Sequence, residues 1–369
     1  MATLRIIQSA NQVITVSDLD SKTYHDGDTV ETGKELIASI VASEGYKAGT
    51  LNKETYTVAE ADTTVEFSAT EAIKCVIESN GVKYATFQEA VNAATPKTET
   101  TITLLEDIDT CGTQVGVEND HTQDRYITFN LNGHTVNVSK LPLVGANLKY
   151  QTNAFRFMEG CKVTFKNGTL TTTDFANCKM FIQNYSDLVL EDVTVDISKA
   201  PQCGYAVSNN YGSLTCKGNT VLNAPNTDGF RRVAFDCYYG LLKKYYDAAP
   251  VITFGKDFTG KVVGAIEYDK SSSAPETLPG TNTKWTDSAK ITIDNGTFDI
   301  ELSGVTNKDT ASIVINGGKF VNEVYKDTTI PQNWKSEEYV KKEEEEKAEA
   351  KAAAITPVIN YILDMNNMR

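Results

Sequence analysis

The feature that most constrains the fold of this chain is a short β-rich phrase that recurs several times. In each copy, a run of alternating apolar residues ends in a small turn residue, and a second run then begins. The copies are Ile127–Val138, Val163–Leu170, Leu188–Val195, Ile291–Phe298 and Ile313–Phe320. The turn positions Gly168, Val193 and Gly218 are 25 residues apart. A near-regular period in this range, built from strands, is typical of a stacked β-solenoid.

The chain is long enough for two or three structural units, and it is acidic. Its 369 residues are 40% hydrophobic, which is enough to fill a sizeable core. Its 35 Lys and Arg residues against 49 Asp and Glu residues give a formal net charge of −14. No basic stripe is present to displace phosphate counterions. The composition therefore predicts a partner that is neither nucleic acid nor an anionic membrane.

The N-terminus and the cysteines favour a chain made in a reducing cytoplasm. The first twelve residues contain no apolar run of signal-peptide length, and no later run reaches the length of a membrane span. The seven cysteines are odd in number and show neither a C-x-x-C pair nor a metal-like spacing with histidine. We expect free, mostly buried thiols. The sequence assigns no metal site and no cofactor.

Residues 1–72 are predicted to form a small all-β module. Apolar runs at Leu4–Ile7 and Val13–Val16 precede an Asp26-Gly27 pair, which is a strong hairpin signal. Further β-rich runs follow at Leu36–Ala42 and Thr63–Ala69. Short strands at this spacing indicate a β-sandwich or β-grasp-like module.

Residues 73–330 are predicted to hold the solenoid, which begins with a hairpin and a helix. The hairpin is centred on Asn80-Gly81, and Thr101–Ile108 is the first solenoid strand. Between them, Thr86 and Glu89 have the spacing of a capping box at the start of a helix over residues 86–94. One face of this helix is apolar and is formed by Phe87, Ala90, Val91 and Ala94.

The stretches Tyr84–Val91, Thr101–Ile108 and Phe129–Val136 resemble the entry of pectin-lyase-like right-handed β-helix proteins. The resemblance implies a right-handed parallel β-helix over roughly residues 82–325, with the short helix covering its N-terminal end. It implies no single activity, because this scaffold carries lyases, hydrolases, adhesins and phage fibres or spikes. Gly27–Val30 and Glu44–Lys47 also resemble the small β-repeat modules of bacterial surface and phage proteins.

The period is interrupted at residues 223–250 and 270–287, which we interpret as insertions that project from the solenoid. Lyases of the resembled fold use carboxylates with an Arg or Lys, and tyrosine rings can stack on sugars. The candidate binding residues are Arg231, Arg232, Asp236, Tyr238, Tyr239, Tyr245 and Tyr246. The alternative is that these residues belong to a solvated or ion-paired insertion that binds no ligand. No cluster of adjacent Asp residues is present, so no catalytic residue is assigned.

Residues 331–369 are predicted to form a helical tail. Ser336 can cap a polar helix that acts as a charged spacer, and Thr356-Pro357 is an N-cap and N1 pair that predicts a second helix. This second helix has an apolar stripe formed by Val358, Ile359, Ile362, Leu363 and Met365. A helix of this length is marginal alone in water, so we expect it to dock on the solenoid, on a sister subunit or on a larger particle.

Three functional classes follow from these observations. The first is a non-enzymatic virion component, such as a phage fibre, spike or head-attached protein, which is made in the host cytoplasm and binds a surface or glycan. Its partners would be other virion proteins or sister subunits, with a homotrimer as one assembly. The second is an adhesin on the bacterial cell surface, and the third is a polysaccharide lyase or hydrolase. Of the three, the virion class is predicted.

Overall fold

The computed structural model describes residues 1–8, 12–42, 48–69, 74–84, 86–146, 151–173, 177–226, 229–239, 249–272, 274–278, 280–306, 308–321 and 329–367, with side chains described up to Ala354. The chain is mainly β, with 49% of residues in strands and 11% in helices. Among the described helices, none combines the length and the apolarity needed to cross a bilayer.

The strands are Ala2–Ile7 (β1), Gln12–Asp18 (β2), Thr23–Tyr24 (β3), Thr29–Val30 (β4), Glu35–Ala42 (β5), Thr55–Thr57 (β6), Thr64–Ser68 (β7), Cys75–Ile77 (β8), Lys83–Tyr84 (β9), Glu99–Leu104 (β10), Ile108–Thr110 (β11), Thr113–Val115 (β12), Tyr126–Asn130 (β13), Thr135–Val138 (β14), Asn153–Phe157 (β15), Lys162–Thr171 (β16), Met180–Asn184 (β17), Asp187–Asp196 (β18), Tyr205–Asn210 (β19), Ser213–Gly218 (β20), Val221–Asn223 (β21), Val233–Tyr239 (β22), Val251–Phe258 (β23), Lys261–Lys270 (β24), Lys290–Ile293 (β25), Thr297–Val305 (β26), Ile313–Ile315 (β27) and Lys319–Phe320 (β28). The helices are Phe87–Ala93 (α1), Trp285–Ser288 (α2) and Glu337–Asn367 (α3).

The N-terminal strands form two small sheets around a hydrophobic core of their own. One sheet has the order β4-β1-β7 and the other the order β3-β2-β5-β6. The alternating burial of β1 and β2 places Leu4 and Val16 in this core. The predicted hairpin at Asp26-Gly27 is wrong, because β3 pairs with β2 while β4 pairs with β1. The turn, in which Gly27 has a φ of +88°, instead carries the chain from one sheet to the other.

The remaining strands form one large, parallel-rich sheet with three ladders. The first ladder joins β10, β13, β16, β18, β20, β23, β25 and β27. The second joins β11, β14, β16, β18, β21, β24, β26 and β28. The third joins β12, β15, β17, β19, β22, β24 and β26. Along the chain, strand segments enter the ladders in the repeating order first, second, third.

The register shows the period that the sequence predicted for the middle of this region. Lys162 pairs with Asp187, and Met180 pairs with Tyr205, so each residue lies beside the residue 25 positions further on. The offset varies elsewhere: it reaches 40 where Val221 pairs with Lys261 and falls to 22 where Thr297 pairs with Lys319. Loops of different length between the ladders account for this variation.

The core of the large sheet contains stacked aromatic rings from successive strands. The Phe129 ring centroid is 4.8 Å from that of Phe87 and 4.8 Å from that of Phe165. A second group continues the stack, with the Phe254 ring 5.2 Å from those of Phe235 and Phe298. These side chains are fully buried, and they share one hydrophobic cluster with the apolar face of α1.

Helix α1 confirms its predicted start and its predicted apolar face. The Thr86 side chain accepts a hydrogen bond from the backbone N–H of Glu89, and the Glu89 side chain accepts one from the backbone N–H of Thr86. Phe87, Ala90 and Val91 are buried, and Ala94 caps the C-terminal end. The hairpin predicted around Asn80-Gly81 is also confirmed, because β8 and β9 are antiparallel.

Several turn residues adopt a left-handed backbone, but not every asparagine that precedes a glycine does so. Asn132 and Asn167 have φ values of +53° and +60°. Asn295 and Asn316 do not adopt it, because the glycines Gly296 and Gly318 take the positive φ in those turns. Glycine has no Cβ and so adopts this conformation at a lower steric cost than asparagine.

The two stretches interpreted as insertions contain regular structure. The segment 223–250 includes β22, which is a strand of the third ladder that pairs with β19 on one side and β24 on the other. The segment 270–287 contains the start of helix α2 at Trp285. The Trp285 side chain is buried against Tyr239 and Tyr268. These parts of the predicted insertions therefore belong to the core.

The C-terminal tail forms one helix where the sequence predicted two. Helix α3 starts as expected, with the Ser336 hydroxyl accepting a hydrogen bond from the backbone N–H of Tyr339. It then continues through Thr356-Pro357 to Asn367. A proline inside a helix removes one hydrogen bond, and here the strong helix formers that precede it keep the helix continuous. Side chains from Glu344 to Ala354 are exposed, as predicted for a solvated spacer.

We expect Phe129→Ala to destabilise the large sheet strongly. Phe129 is fully buried between two phenylalanine rings, so its removal leaves a cavity and should lower the free energy of unfolding by about 3–5 kcal/mol. Leu105→Ala is the control, because this side chain is already 42% exposed and should cost at most about 1 kcal/mol. Urea denaturation followed by circular dichroism measures both, and equal losses would contradict the stacked core.

Candidate functional site

A row of polar side chains runs across the third ladder. Its members occupy paired positions on five consecutive strands, and we call them the polar row: Arg156, Gln183, Ser208, Asp236 and Glu267. The residue before each of them is apolar, and Phe155, Ile182 and Phe235 are fully buried in the core. Because successive side chains of a strand point to opposite faces, the polar row lies on the face opposite the core.

Most of the polar row is covered and internally hydrogen-bonded. Arg156 donates to the Glu118 carboxylate at 2.9 Å. The Ser208 hydroxyl and the Asn209 backbone N–H both donate to the Asp236 carboxylate, at 2.9 and 2.5 Å. Asp236 is only 4% exposed. This part of the row is therefore pre-organised but shielded from solvent.

The row becomes accessible at Glu267, where four side chains meet. We call them the Arg231 cluster: Tyr205, Arg231, Glu267 and Glu301. Arg231 donates to Glu267 at 2.6 Å, and its Nε lies 3.8 Å from a Glu301 oxygen. The Tyr205 hydroxyl donates to the other Glu267 oxygen at 3.2 Å. All four side chains are partly exposed, with Arg231 at 37%.

The Arg231 cluster has an excess of negative charge. One guanidinium faces two carboxylates, and Asp236 lies buried next to Glu267 in the row. Burial raises the pKa of Tyr205, and the Glu267 carboxylate raises it further, so the phenol stays protonated and available as a donor. The cluster can therefore offer two carboxylates, a guanidinium and a phenol to a ligand rich in hydroxyl groups.

Asp236 differs from an ordinary carboxyl because of its burial. Burial raises the pKa of Asp236 to about 7, and the Glu267 carboxylate adds to the rise. Hydrogen bonds from Ser208 and from the backbone of Asn209 oppose the rise. Around neutral pH this carboxyl is divided between its two protonation states.

The sequence-predicted binding residues separate into different environments. Arg231 donates to Glu267, and Asp236 pairs with Glu267 across adjacent strands, so both are neighbours of this carboxylate. Arg232 is 1% exposed and donates to the backbone carbonyls of Ala200 and Pro225, so it supports the fold and offers no surface group.

The predicted tyrosines are also divided. Tyr239 is fully buried, and its ring is stacked parallel to Trp285 with centroids 6.1 Å apart, so it cannot contact a sugar at the surface. Tyr238 is partly exposed at the end of β22. Tyr245 and Tyr246 lie outside the described residues, as do the side chains of the predicted docking stripe (Val358, Ile359, Ile362, Leu363 and Met365).

Sequence reasoning missed Tyr205, Glu267 and Glu301. Glu267 is 36 positions from Arg231, and the parallel pairing of β22 with β24 brings the two together. A signal was present in the recurring pair of an apolar residue followed by a polar one, as in Phe235-Asp236 and Ile266-Glu267. The copies of this pair could not be aligned with one another from the sequence alone, because the spacing between repeats is uneven.

A shallow groove lies elsewhere, along the turns that end the third-ladder strands. It has a volume of about 240 Å³ and is lined in part by Tyr185, Asp187, Tyr211 and Ser213. The two tyrosines are 8% and 5% exposed, so neither ring offers an open platform for stacking. The Arg231 cluster is the better candidate because its polar groups are accessible.

Comparison with family models, with curated proteins and with solved structures gave no significant match. Within the described part of the chain, no group of three or more His, Cys, Asp or Glu side chains is placed to bind a metal ion.

We expect Asp236→Asn to remove a pH dependence of stability. A carboxyl whose pKa rises from 3.8 to about 7 on folding favours the native state below about pH 4, and this stabilisation is lost as the pH rises to about 7. The shift corresponds to at most about 4 kcal/mol. The difference in unfolding free energy between variant and wild type should therefore grow between pH 4 and 7 and then level off.

Urea denaturation at several pH values measures this difference. Asp257→Asn is the matched control, because Asp257 is exposed and lies on β23 of the same sheet. A wild type and an Asp236→Asn variant with parallel pH profiles would contradict the assignment of this buried carboxyl.

Proposed function

We propose that the large sheet winds into a right-handed parallel β-helix. The support is that strand segments enter the three parallel ladders in a fixed order, repeat after repeat. A solenoid with three faces would return the chain to each ladder in this order. Crossover connections between parallel strands are right-handed in about 98% of cases, which supports the handedness.

We further propose that this β-helix is a non-enzymatic attachment rod that binds a cell-surface glycan through the Arg231 cluster. The observation that carries the proposal is the cluster itself: two carboxylates, a guanidinium and a phenol, already oriented by mutual hydrogen bonds and partly exposed. Pre-organised polar groups bind sugars well because little side-chain entropy remains to be lost.

The charge of the cluster defines the class of glycan. With one cation against two carboxylates, the cluster repels uronic and sialic acids and favours neutral or amino sugars.

We propose a virion appendage as the setting, with a bacterial surface adhesin as the alternative. The rod-like stacking of repeats and the acidic composition suit a protein that projects from a particle. Helix α3 supports the same setting, because its side chains from Glu344 to Ala354 are exposed, as those of a solvated spacer would be. Mass spectrometry of purified particles and of cell envelopes distinguishes the two settings.

A polysaccharide hydrolase is the second candidate, and one observation favours it. Burial raises the pKa of Asp236 to about 7, and Asp236 lies beside Glu267. Most glycoside hydrolases use two carboxyl groups whose pKa values differ. Asp236 is nevertheless covered, and both of its oxygens accept hydrogen bonds from the protein. Binding is therefore the better supported function.

We expect Arg231→Ala to weaken glycan binding at least tenfold, because the cluster loses its cation and the orientation of both glutamates. Isothermal titration with neutral and amino oligosaccharides identified on a glycan array measures the effect. Arg5→Ala is the matched control, since Arg5 forms a comparable surface pair with Glu66 in the N-terminal module. Unchanged binding by Arg231→Ala would refute the proposed site.

The same oligosaccharides test the second candidate. Release of reducing ends by the wild type, and its loss in Glu267→Gln, would establish a hydrolase and overturn the non-enzymatic proposal. Intact oligosaccharides after prolonged incubation would support attachment without cleavage.

We expect Ile362→Asp combined with Leu363→Asp to abolish assembly with sister subunits or with the particle. Charges in an apolar stripe cannot be buried at an interface without a large desolvation cost. Light scattering and recovery in purified particles measure assembly. Ala350→Asp, in the exposed spacer of the same helix, is the control. Normal assembly of the double variant would exclude the stripe as the attachment surface.

A further inference from the structure

Two cysteines occupy equivalent places in successive repeats. Cys178 lies two residues before β17, and Cys203 lies two residues before β19. Their sulfur atoms are 3.8 Å apart, and both side chains are fully buried. Both thiols are free in the structure.

The backbone around the two cysteines continues the parallel pairing of the third ladder. Met180 pairs with Tyr205, and the backbone N–H of Gly204 donates to the carbonyl of Lys179 at 2.9 Å. Cys178 and Cys203 are therefore neighbours across two parallel segments. Neighbouring strands are about 4.8 Å apart, which lies inside the Cα separation that a disulfide spans.

The two thiols also have the same orientation. The Cys178 thiol donates to the carbonyl of Met180 at 3.5 Å, and the Cys203 thiol donates to that of Tyr205 at 3.6 Å. Both contacts are weak, and both disappear when the protons are removed. Closing the bond brings the sulfurs from 3.8 Å to about 2 Å, which side-chain rotation within adjacent repeats can supply.

We propose that Cys178 and Cys203 form an oxidation site that closes into a disulfide between successive repeats. The reaction partner is a small-molecule disulfide such as oxidised glutathione. One cysteine thiolate attacks it, forming a mixed disulfide and releasing one glutathione thiolate, and the second cysteine then displaces the other. Two S–H bonds and the glutathione disulfide are consumed, and one protein disulfide and two glutathione thiols result.

The surroundings decide when this reaction occurs. Burial raises the pKa of Cys203 well above that of a free thiol, and the neighbouring Cys178 raises it further. A protonated thiol shielded from solvent reacts slowly, so the bond forms during folding or transient opening in an oxidising medium. A chain kept in a reducing cytoplasm retains both thiols. This site is independent of the proposed glycan binding.

The test is to refold the full chain with oxidised and reduced glutathione, and in parallel to treat the native chain with diamide in a sub-denaturing concentration of urea. Remaining thiols are alkylated under denaturing conditions and counted by intact mass, and peptide mapping locates any link. We expect two of the seven thiols to be lost and a link between the peptides of Cys178 and Cys203. The oxidised form should unfold at a higher urea concentration than the reduced form.

Three variants complete the design. Cys178→Ala and Cys203→Ala should each prevent the link, whereas Cys216→Ala, which removes another fully buried cysteine of the same core, should leave it intact. Circular dichroism in reducing buffer verifies that each variant folds. The proposal would be overturned if neither refolding with glutathione nor diamide treatment formed the link. It would also be overturned if the link in the wild type joined other cysteines.

Discussion

Parallel backbone pairing between successive repeats is the interaction on which the rest of the structure depends. Paired strands of one repeat share their backbone hydrogen bonds with the repeats before and after it. The pairing also fixes which side chains are neighbours. Phe129 and Phe165 stack in the core because β13 and β16 pair in register, and the polar row exists because β15 to β24 do the same on the opposite face. Core and site are two consequences of one register.

Burial and hydrogen bonding differ between the two ends of the polar row. Asp236 is covered and receives hydrogen bonds from Ser208 and Asn209, and burial raises its pKa towards neutrality. Glu267, one strand away, is partly exposed and bonded to Arg231 and Tyr205. The covered end of the row stabilises the geometry, and the accessible end offers groups to a ligand. This division makes binding easier to explain than catalysis, because the carboxyl with the unusual pKa is the one that solvent and substrate do not reach.

Local signals in the sequence were reliable where one segment contains the whole interaction. The capping box of Thr86 and Glu89, the apolar face of α1 and the hairpin at Asn80-Gly81 were all predicted, because each depends on residues a few positions apart. The signals failed where distant segments compete for the same residue. Asp26-Gly27 has the composition of a hairpin turn, yet the strands on either side pair with different partners. Val233–Tyr239 looked like an insertion because the period was lost before it, although it is a paired strand.

The sequence alone determined a mainly β chain with a repeat near 25 residues, a helix at the start of the large sheet and an acidic composition. These follow from periodicity, capping chemistry and residue counts, which are properties of neighbouring residues or of the whole composition. Only the tertiary structure decided that Arg232 and Tyr239 are buried while Arg231 meets Glu267 and Glu301. The reason is physical: the side chains of the site come from strands whose pairing offset varies from one repeat to the next, and that offset is fixed by the loops and the packed core rather than by any local pattern.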